Sequence, residues 1–151
     1  MSEIRKRIRA FRKVFLDTAP IIYFVEKHPD YGAAVDAVFE LIDEGRISAV
    51  VSPVTLAECL VHPVKYGLTD LYEGFQRIIS NGRNTFFSSI DEHIAEEAAR
   101  LRAVHGITLV DALQVATALT NGCDGFVTND IRLKKVSDIE VIVIKELKAL
   151  P

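Results

Sequence analysis

The chain has 151 residues, of which 49% are hydrophobic, so it can bury the core of one compact domain and is too short for two ordinary ones. Its formal net charge of −3 argues against indiscriminate coating of nucleic acid. No run approaches the roughly 18 apolar residues of a membrane span, and the N-terminus lacks the apolar stretch of a signal peptide. We therefore expect one cytoplasmic domain without membrane contact.

The chain begins with a basic extension, residues 1–13, ahead of a domain that we expect at residues 14–148. Six basic residues and one acid give this extension a charge of +5, which leaves −8 for the remainder. Such a segment can contact phosphate or an acidic partner, and it can equally be a solvated extension. The sequence leaves both interpretations open.

The first half of the chain predicts two strands and three helices, and it carries two acids of interest. The elements are a strand at 14–17, a helix at 21–25, a helix at 31–44, a strand at 47–51 and a helix from Pro53. Asp17 ends the first strand, where it is either a helix cap or a functional carboxylate. Glu58 matches a capping box that starts at Thr55. If Ser52 is the cap instead, Glu58 lies too far into the helix and has no structural task.

The second half continues the same alternation and adds two more acids. The predicted elements are helices at 68–79, 92–105 and 110–119 and strands at 85–88, 126–128 and 141–144, before a polar tail. Asp111 lies in the first turn of a helix that ends at Asn121-Gly122, and Asp130 follows a buried strand. Taken singly, each acid is explained by helix or turn chemistry.

Helices that alternate with short, continuous apolar strands indicate a parallel sheet covered on both faces. The predicted fold class is therefore α/β, a three-layer α/β/α sandwich with a central parallel sheet. The carboxyl ends of parallel strands point the same way, which would bring the four acids into one cleft. Four carboxylates without an intervening cation repel one another, and they favour a hard cation with oxygen ligands, most simply Mg²⁺ or Mn²⁺.

Four segments of this sequence carry a family resemblance, in a fixed order and across residues 14 to about 144. They are FLDT at 15–18 with IIY at 21–23, SPVTLAE at 52–58, DALQVATA at 111–118, and GCDGFVTND at 122–130 with Leu133. Together they resemble the PIN-domain ribonucleases, particularly the VapC-type toxins of bacterial and archaeal toxin–antitoxin pairs. The basic extension departs from that pattern, because these toxins often begin almost directly with the first strand.

The resemblance implies a metal-dependent endonuclease that cuts single-stranded or structured RNA. Carried over by position, it implies that Thr128 supports the metal's ligands or its water, and that four acids hold the metal: Asp17, Glu58, Asp111 and Asp130. It also implies an antitoxin protein as partner and a homodimer. We expect RNA hydrolysis by metal-activated water, with Glu58 orienting water or a second ion.

Basic residues just beyond Asp130 are candidates for a phosphate-binding rim. They are Arg132, Lys134 and Lys135, and a solvated loop explains them equally well. The two cysteines, Cys59 and Cys123, lie in apolar segments without metal-ligand spacing, so we expect buried, reduced thiols.

Three other functions stay open at the level of sequence. A PIN-type nuclease can serve RNA processing or decay instead of a toxin role. A PIN-like scaffold would bind without cutting, but its sign would be loss of an acid, and all four acids are present. A Mg²⁺-binding receiver-type signalling domain is also α/β with acids at strand ends, yet it needs a second acid beside the first-strand Asp17, where this chain has Leu16 and Thr18.

Overall fold

Five short strands form one parallel sheet in the computed structural model, which describes residues 2–151. They are β1 Lys13–Leu16, β2 Ser48–Val51, β3 Thr85–Phe87, β4 Gly125–Thr128 and β5 Glu140–Val143. Their order in the sheet is β3-β2-β1-β4-β5, and every neighbouring pair is parallel. The chain adds strands on one side of β1 and then on the other, so the topological switch lies between β1 and β4, where open α/β sheets bind ligands.

Helices cover both faces of this sheet, as the sequence predicts. They are α1 Glu3–Arg9, α2 Thr18–Val25, α3 Gly32–Asp43, α4 Pro53–Tyr66, α5 Thr69–Ser80, α6 Glu92–His105, α7 Leu109–Thr120 and α8 Ile144–Lys148, with a 3₁₀ helix at Ile131–Lys135. Side chains alternate across β1: Val14 and Leu16 join a cluster with α1 to α5 and α8, whereas Phe15 joins one with α6 and α7. The three-layer α/β/α sandwich is confirmed.

Side-chain caps fix where the helices near the strand ends begin. The Ser52 hydroxyl accepts a hydrogen bond from the Thr55 backbone N–H at 3.3 Å, so α4 begins after Ser52 and the capping-box interpretation of Glu58 is wrong. Thr108 caps α7 by accepting from the Asp111 N–H at 3.1 Å. Gly122, at φ +72°, is the left-handed residue that follows α7; Asn121, at φ −92°, is not left-handed.

The basic extension packs on the domain instead of projecting into solvent. Ile8 and Phe11 are buried in the core, and the Phe11 ring lies so close to Gly125 that a Cβ there would sit 2.8 Å from it. Arg5 pairs with Glu40 at 3.0 Å and with Glu44 at 2.9 Å. The positive charge of Arg5 is therefore compensated by acidic side chains of the same domain. Met1, the first residue of the predicted extension, lies outside the described residues.

Two segments after Asp130 differ from the sequence prediction. The predicted turn after β4 is a 3₁₀ helix, anchored by the buried side chain of Leu133, and the predicted polar tail contains α8, which buries Ile144 and Leu147. Both cysteines are buried and unpaired, as expected.

Across residues 2–151, no single helix is long and apolar enough to cross a bilayer. Only α6 and α7 together reach the required length and composition, and they meet at a bend of 120°.

Candidate active site

An open cleft of about 540 Å³ lies at the carboxyl ends of β1 and β4, beside the topological switch. All four candidate acids line it, together with Thr128 and Arg132. Each acid comes from a different part of the chain: Asp17 directly follows β1, Glu58 lies on α4, Asp111 lies in the first turn of α7, and Asp130 follows β4. The parallel sheet thus collects carboxylates that are far apart in sequence.

Asp17 lies deepest, and every hydrogen bond to its carboxylate comes from a neutral group. Its Oδ1 accepts from the Thr18 backbone N–H at 2.9 Å and from Gln114 Nε2 at 3.4 Å, and its Oδ2 accepts from the Thr128 hydroxyl at 2.9 Å. Burial raises the pKa of Asp17, and the nearby Asp111 raises it further, while the hydrogen bonds oppose the shift. The charged form of Asp17 would therefore be stabilised by a cation placed in the cleft.

Asp111 is half-buried on the wall of the cleft. Burial raises its pKa first, and the negative charge of Asp130 adds to that effect, whereas a hydrogen bond with Thr108 and the charge of Arg132 lower it. Asp111 and Asp17 therefore share one property: burial disfavours the ionised form of each carboxylate.

Asp130 is the acid with its own counter-charge. Arg132 Nε donates to Asp130 Oδ1 at 2.9 Å and Arg132 Nη2 donates to Oδ2 at 2.7 Å, and this pairing lowers the pKa of Asp130. Thr128 orients the same turn, since its hydroxyl accepts from the Asp130 N–H at 3.1 Å while donating to Asp17. Thr128 thus touches both strand-end acids.

Glu58 points into the same cleft from α4 and is exposed. Its Oε1 accepts from the Thr18 hydroxyl at 2.7 Å, which ties it to the residue next to Asp17. Glu58 thus has a local hydrogen-bond partner and remains accessible from the cleft.

No three acids come close enough to share an ion among the side chains of residues 2–151. Two of the acids already have partners, since Asp130 pairs with Arg132 and Glu58 accepts from Thr18. The chemistry of the donor set nevertheless fits a hard divalent cation: all the candidate ligands are oxygens, and the buried Asp17 carboxylate has only neutral donors.

The three basic candidates occupy different positions. Arg132 lines the cleft, and its side chain is 79% exposed. Lys134 points away to pair with Glu146 at 2.7 Å, and Lys135 is exposed without lining the cleft. The structure therefore brings one of the three basic side chains to the acids.

Sequence reasoning assigned no role to Gln114, although it is fully buried and contacts Asp17. Its signal is an amide within the otherwise apolar stretch Ala112 to Ala116, where a buried polar group needs partners. The rim of the cleft holds a second unassigned contact, in which Asn129 Nδ2 donates to the Tyr23 hydroxyl at 3.1 Å. Both contacts join residues far apart in sequence, so they can be assigned only from the tertiary structure.

Comparison with known proteins yields one family match and several structural neighbours. The family model described as PIN domain matches residues 14–139. No curated protein matches the chain by sequence. The solved structures it is similar to include a VapBC complex from Rickettsia felis bound to a promoter DNA fragment, with 19% identity, coverage of 87% of this chain and 98% of that one, and a TM-score of 0.69.

Two further neighbours extend the comparison. A VapC toxin from Mycobacterium tuberculosis that cleaves the sarcin–ricin loop has 14% identity, covers 85% of this chain and 98% of its own, and has a TM-score of 0.67. A DNA-bound VapBC from Salmonella typhimurium has 18% identity, with coverage of 88% and 98% and a TM-score of 0.62. At these identities the structural likeness establishes the shared fold.

Proposed function

We propose, starting from the fact that this chain belongs to the PIN domain family, that it is a metal-dependent endoribonuclease and the toxin of a toxin–antitoxin pair. The observation that carries the proposal is the cleft at the β1–β4 switch, which four acids line and in which the buried Asp17 accepts hydrogen bonds only from neutral donors. The PIN family match over residues 14–139 also argues against the alternative of a receiver-type signalling domain.

The residues present suit Mg²⁺ or Mn²⁺, which supply a nucleophilic water at neutral pH and offset the charge that develops at phosphorus. Asp17, Asp111 and Asp130 would hold the ion. Thr128 holds the Asp17 carboxylate in place through its hydroxyl, and Glu58 accepts a proton from, or orients, water at the open side of the cleft. These assignments use only oxygen donors that already line the cleft.

Arg132 is the residue we assign to the RNA phosphate. Its guanidinium already faces an oxyanion, the Asp130 carboxylate, with bidentate geometry, and a phosphate presents the same pair of acceptors. Arg132 is also largely exposed, so its guanidinium is accessible to a substrate phosphate. Lys134 and Lys135 would contribute at longer range, because neither lines the cleft.

The proposed function also indicates which molecules this protein binds. The Rickettsia and Salmonella neighbours are VapBC assemblies, which supports an antitoxin protein as partner, and the Mycobacterium toxin supports structured RNA as the substrate class. We also propose that the protein acts in the cytoplasm, where cellular RNA is found. We also propose a homodimer, although the core of this domain already buries the main apolar side chains of α3 and α5. Sedimentation of a monomer at micromolar concentration would refute this point alone.

The decisive experiment is RNA cleavage with Mg²⁺ or Mn²⁺ and with excess chelator. We expect cleavage only with metal, and its loss in Asp17→Asn, Asp111→Asn and Asp130→Asn, each of which keeps the fold. Asp91→Asn is the matched control, because Asp91 caps α6 outside the cleft and asparagine caps equally well. Equal cleavage in chelator would overturn the metal mechanism.

A further inference from the structure

A buried chain of hydrogen bonds runs behind the acidic cleft and centres on Gln114. Gln114 is completely buried on α7, one helical turn after Asp111. Its Nε2 donates to the Thr55 hydroxyl at 2.7 Å and to Asp17 Oδ1 at 3.4 Å, and its Oε1 accepts from the Ser52 hydroxyl. This one side chain therefore joins α7, the start of α4 and the end of β1.

The neighbours of Gln114 fix which way its amide must point. The Ser52 hydroxyl already accepts from the Thr55 N–H, so its proton is left for Gln114 Oε1. The Thr55 hydroxyl donates to the Leu16 carbonyl at 3.4 Å, so it can only accept from Gln114 Nε2. With one Nε2 proton on Thr55, the second is directed at Asp17.

We propose that Gln114 is a positioning residue for the metal site, which sets the Asp17 carboxylate and the helices bearing Glu58 and Asp111 at a fixed mutual spacing. The geometry of this inference is given by the hydrogen bonds of Gln114. Its consequence for catalysis rests on the proposed function.

A neutral amide suits this role for two reasons. It donates to the Asp17 carboxylate without neutralising it, so the full negative charge stays available to a cation, which a lysine or arginine at this position would cancel. It also has both a donor and an acceptor, so every polar atom in the buried chain is satisfied; across residues 2–151 no buried side-chain polar atom lacks a partner.

The test compares Gln114→Met with Thr117→Val. Methionine has a similar length and no amide, so it removes the donor to Asp17 with a small change in volume. Thr117 is the matched control, because it is also fully buried on α7 but its hydroxyl bonds only to the Leu113 carbonyl of its own helix, at 2.7 Å. Both variants lose a buried polar group, and only Gln114→Met loses contact with the site.

The primary readout is Mn²⁺ binding by calorimetry, together with the Mn²⁺-induced shift in Tm measured within each variant. We expect Gln114→Met to bind Mn²⁺ about tenfold more weakly than wild type and Thr117→Val to bind it equally well, since supporting partners of metal ligands typically matter at this level. The Mn²⁺ concentration that half-saturates RNA cleavage should rise by the same factor. If Gln114→Met does not fold, Gln114→Leu takes its place.

Unchanged Mn²⁺ affinity in a folded Gln114 variant would overturn the inference and leave the proposed function intact, provided that Asp17→Asn still abolishes cleavage. An equal loss of affinity in Thr117→Val would also overturn it, because the effect would then come from general loosening of α7. A wild-type protein that binds Mn²⁺ but cuts no RNA would refute the proposed function, while weaker binding by Gln114→Met would still support the positioning role.

Discussion

Arg132 and Asp130 form a two-point ion pair at the mouth of the acidic cleft, with Nε and Nη2 each donating to a separate carboxylate oxygen, at 2.9 and 2.7 Å. Asp130 is also one of the residues that we propose as metal ligands. On that proposal, the guanidinium and the cation would compete for its carboxylate. This arrangement keeps the metal-free cleft from concentrating four uncompensated charges.

We expect Arg132→Gln to bind Mn²⁺ roughly threefold more tightly than wild type in the absence of RNA, because a solvent-exposed competitor for Asp130 is removed. The same variant should bind RNA more weakly, since it lacks the bidentate phosphate donor. Calorimetry with Mn²⁺ and a filter-binding assay with RNA measure the two effects. Arg83→Gln is the control, because it loses only an exposed ion pair with Asp43 and does not line the cleft. Tighter RNA binding by Arg132→Gln would contradict the assignment.

Asp111→Asn should raise Tm in chelator and lower it relative to wild type in Mn²⁺. Burial and, after it, the charge of Asp130 oppose ionised Asp111, so neutralising this side chain should stabilise the metal-free fold. Wild type gains RT ln(1 + [L]/Kd) from the ion, about 2.7 kcal/mol at 100 Kd, which the variant largely forfeits. Thermal melts in both buffers measure this crossover. A uniform loss in both would show that Asp111 only stabilises the start of its helix.

Asp17 should make the metal-free protein less stable as pH rises. Burial raises its pKa in the folded state, so the folded chain holds the proton at a pH where the unfolded chain has released it. The contribution of Asp17 to the free energy of unfolding is fully present below the ordinary carboxyl pKa. It is lost as pH rises through the raised pKa of the folded state. We therefore expect the Tm advantage of Asp17→Asn in chelator to be larger at about pH 7 than at about pH 5. A difference that is independent of pH would contradict it.

Ile8→Ala should destabilise the protein by about 2–5 kcal/mol, the range for removing a fully buried isoleucine side chain beyond Cβ. Chemical denaturation measures it, with the exposed Lys6→Ala on the same helix as control. An effect no larger than that of the control would mean that α1 contributes little to the core.

Three of the four acids could be placed from local sequence because each lies at an element boundary, whereas Glu58 lies in the second turn of α4. The runs that form β1 and β4 are short and apolar, and the residues after them must leave the sheet, which places Asp17 and Asp130 at its edge. The parallel topology then required that these ends meet. Ligand roles for these acids stay a prediction that the metal-binding experiments test.

Other features depend on partners that lie far away in sequence. The Gln114 amide makes sense only beside Ser52 and Thr55, which are 62 and 59 residues away. For α1, the charge of the segment obscured the helical spacing of Ile4 and Ile8, which pack against the core together with Phe11 beyond the helix. In both cases the local sequence pattern was ambiguous, and the role of the residue became clear only from what it packs against in the folded structure.

The strand order also has a consequence for protein synthesis. The central strand β1 leaves the ribosome early, but its neighbour β4 is made only after Gly125, so one edge of β1 stays unpaired while most of the chain is translated. Asp17 and Asp130 can share a cleft only after that point. An incomplete chain that ends before β4 therefore lacks half of the strand ends that form the cleft, and the site cannot assemble before Asp130 has been made.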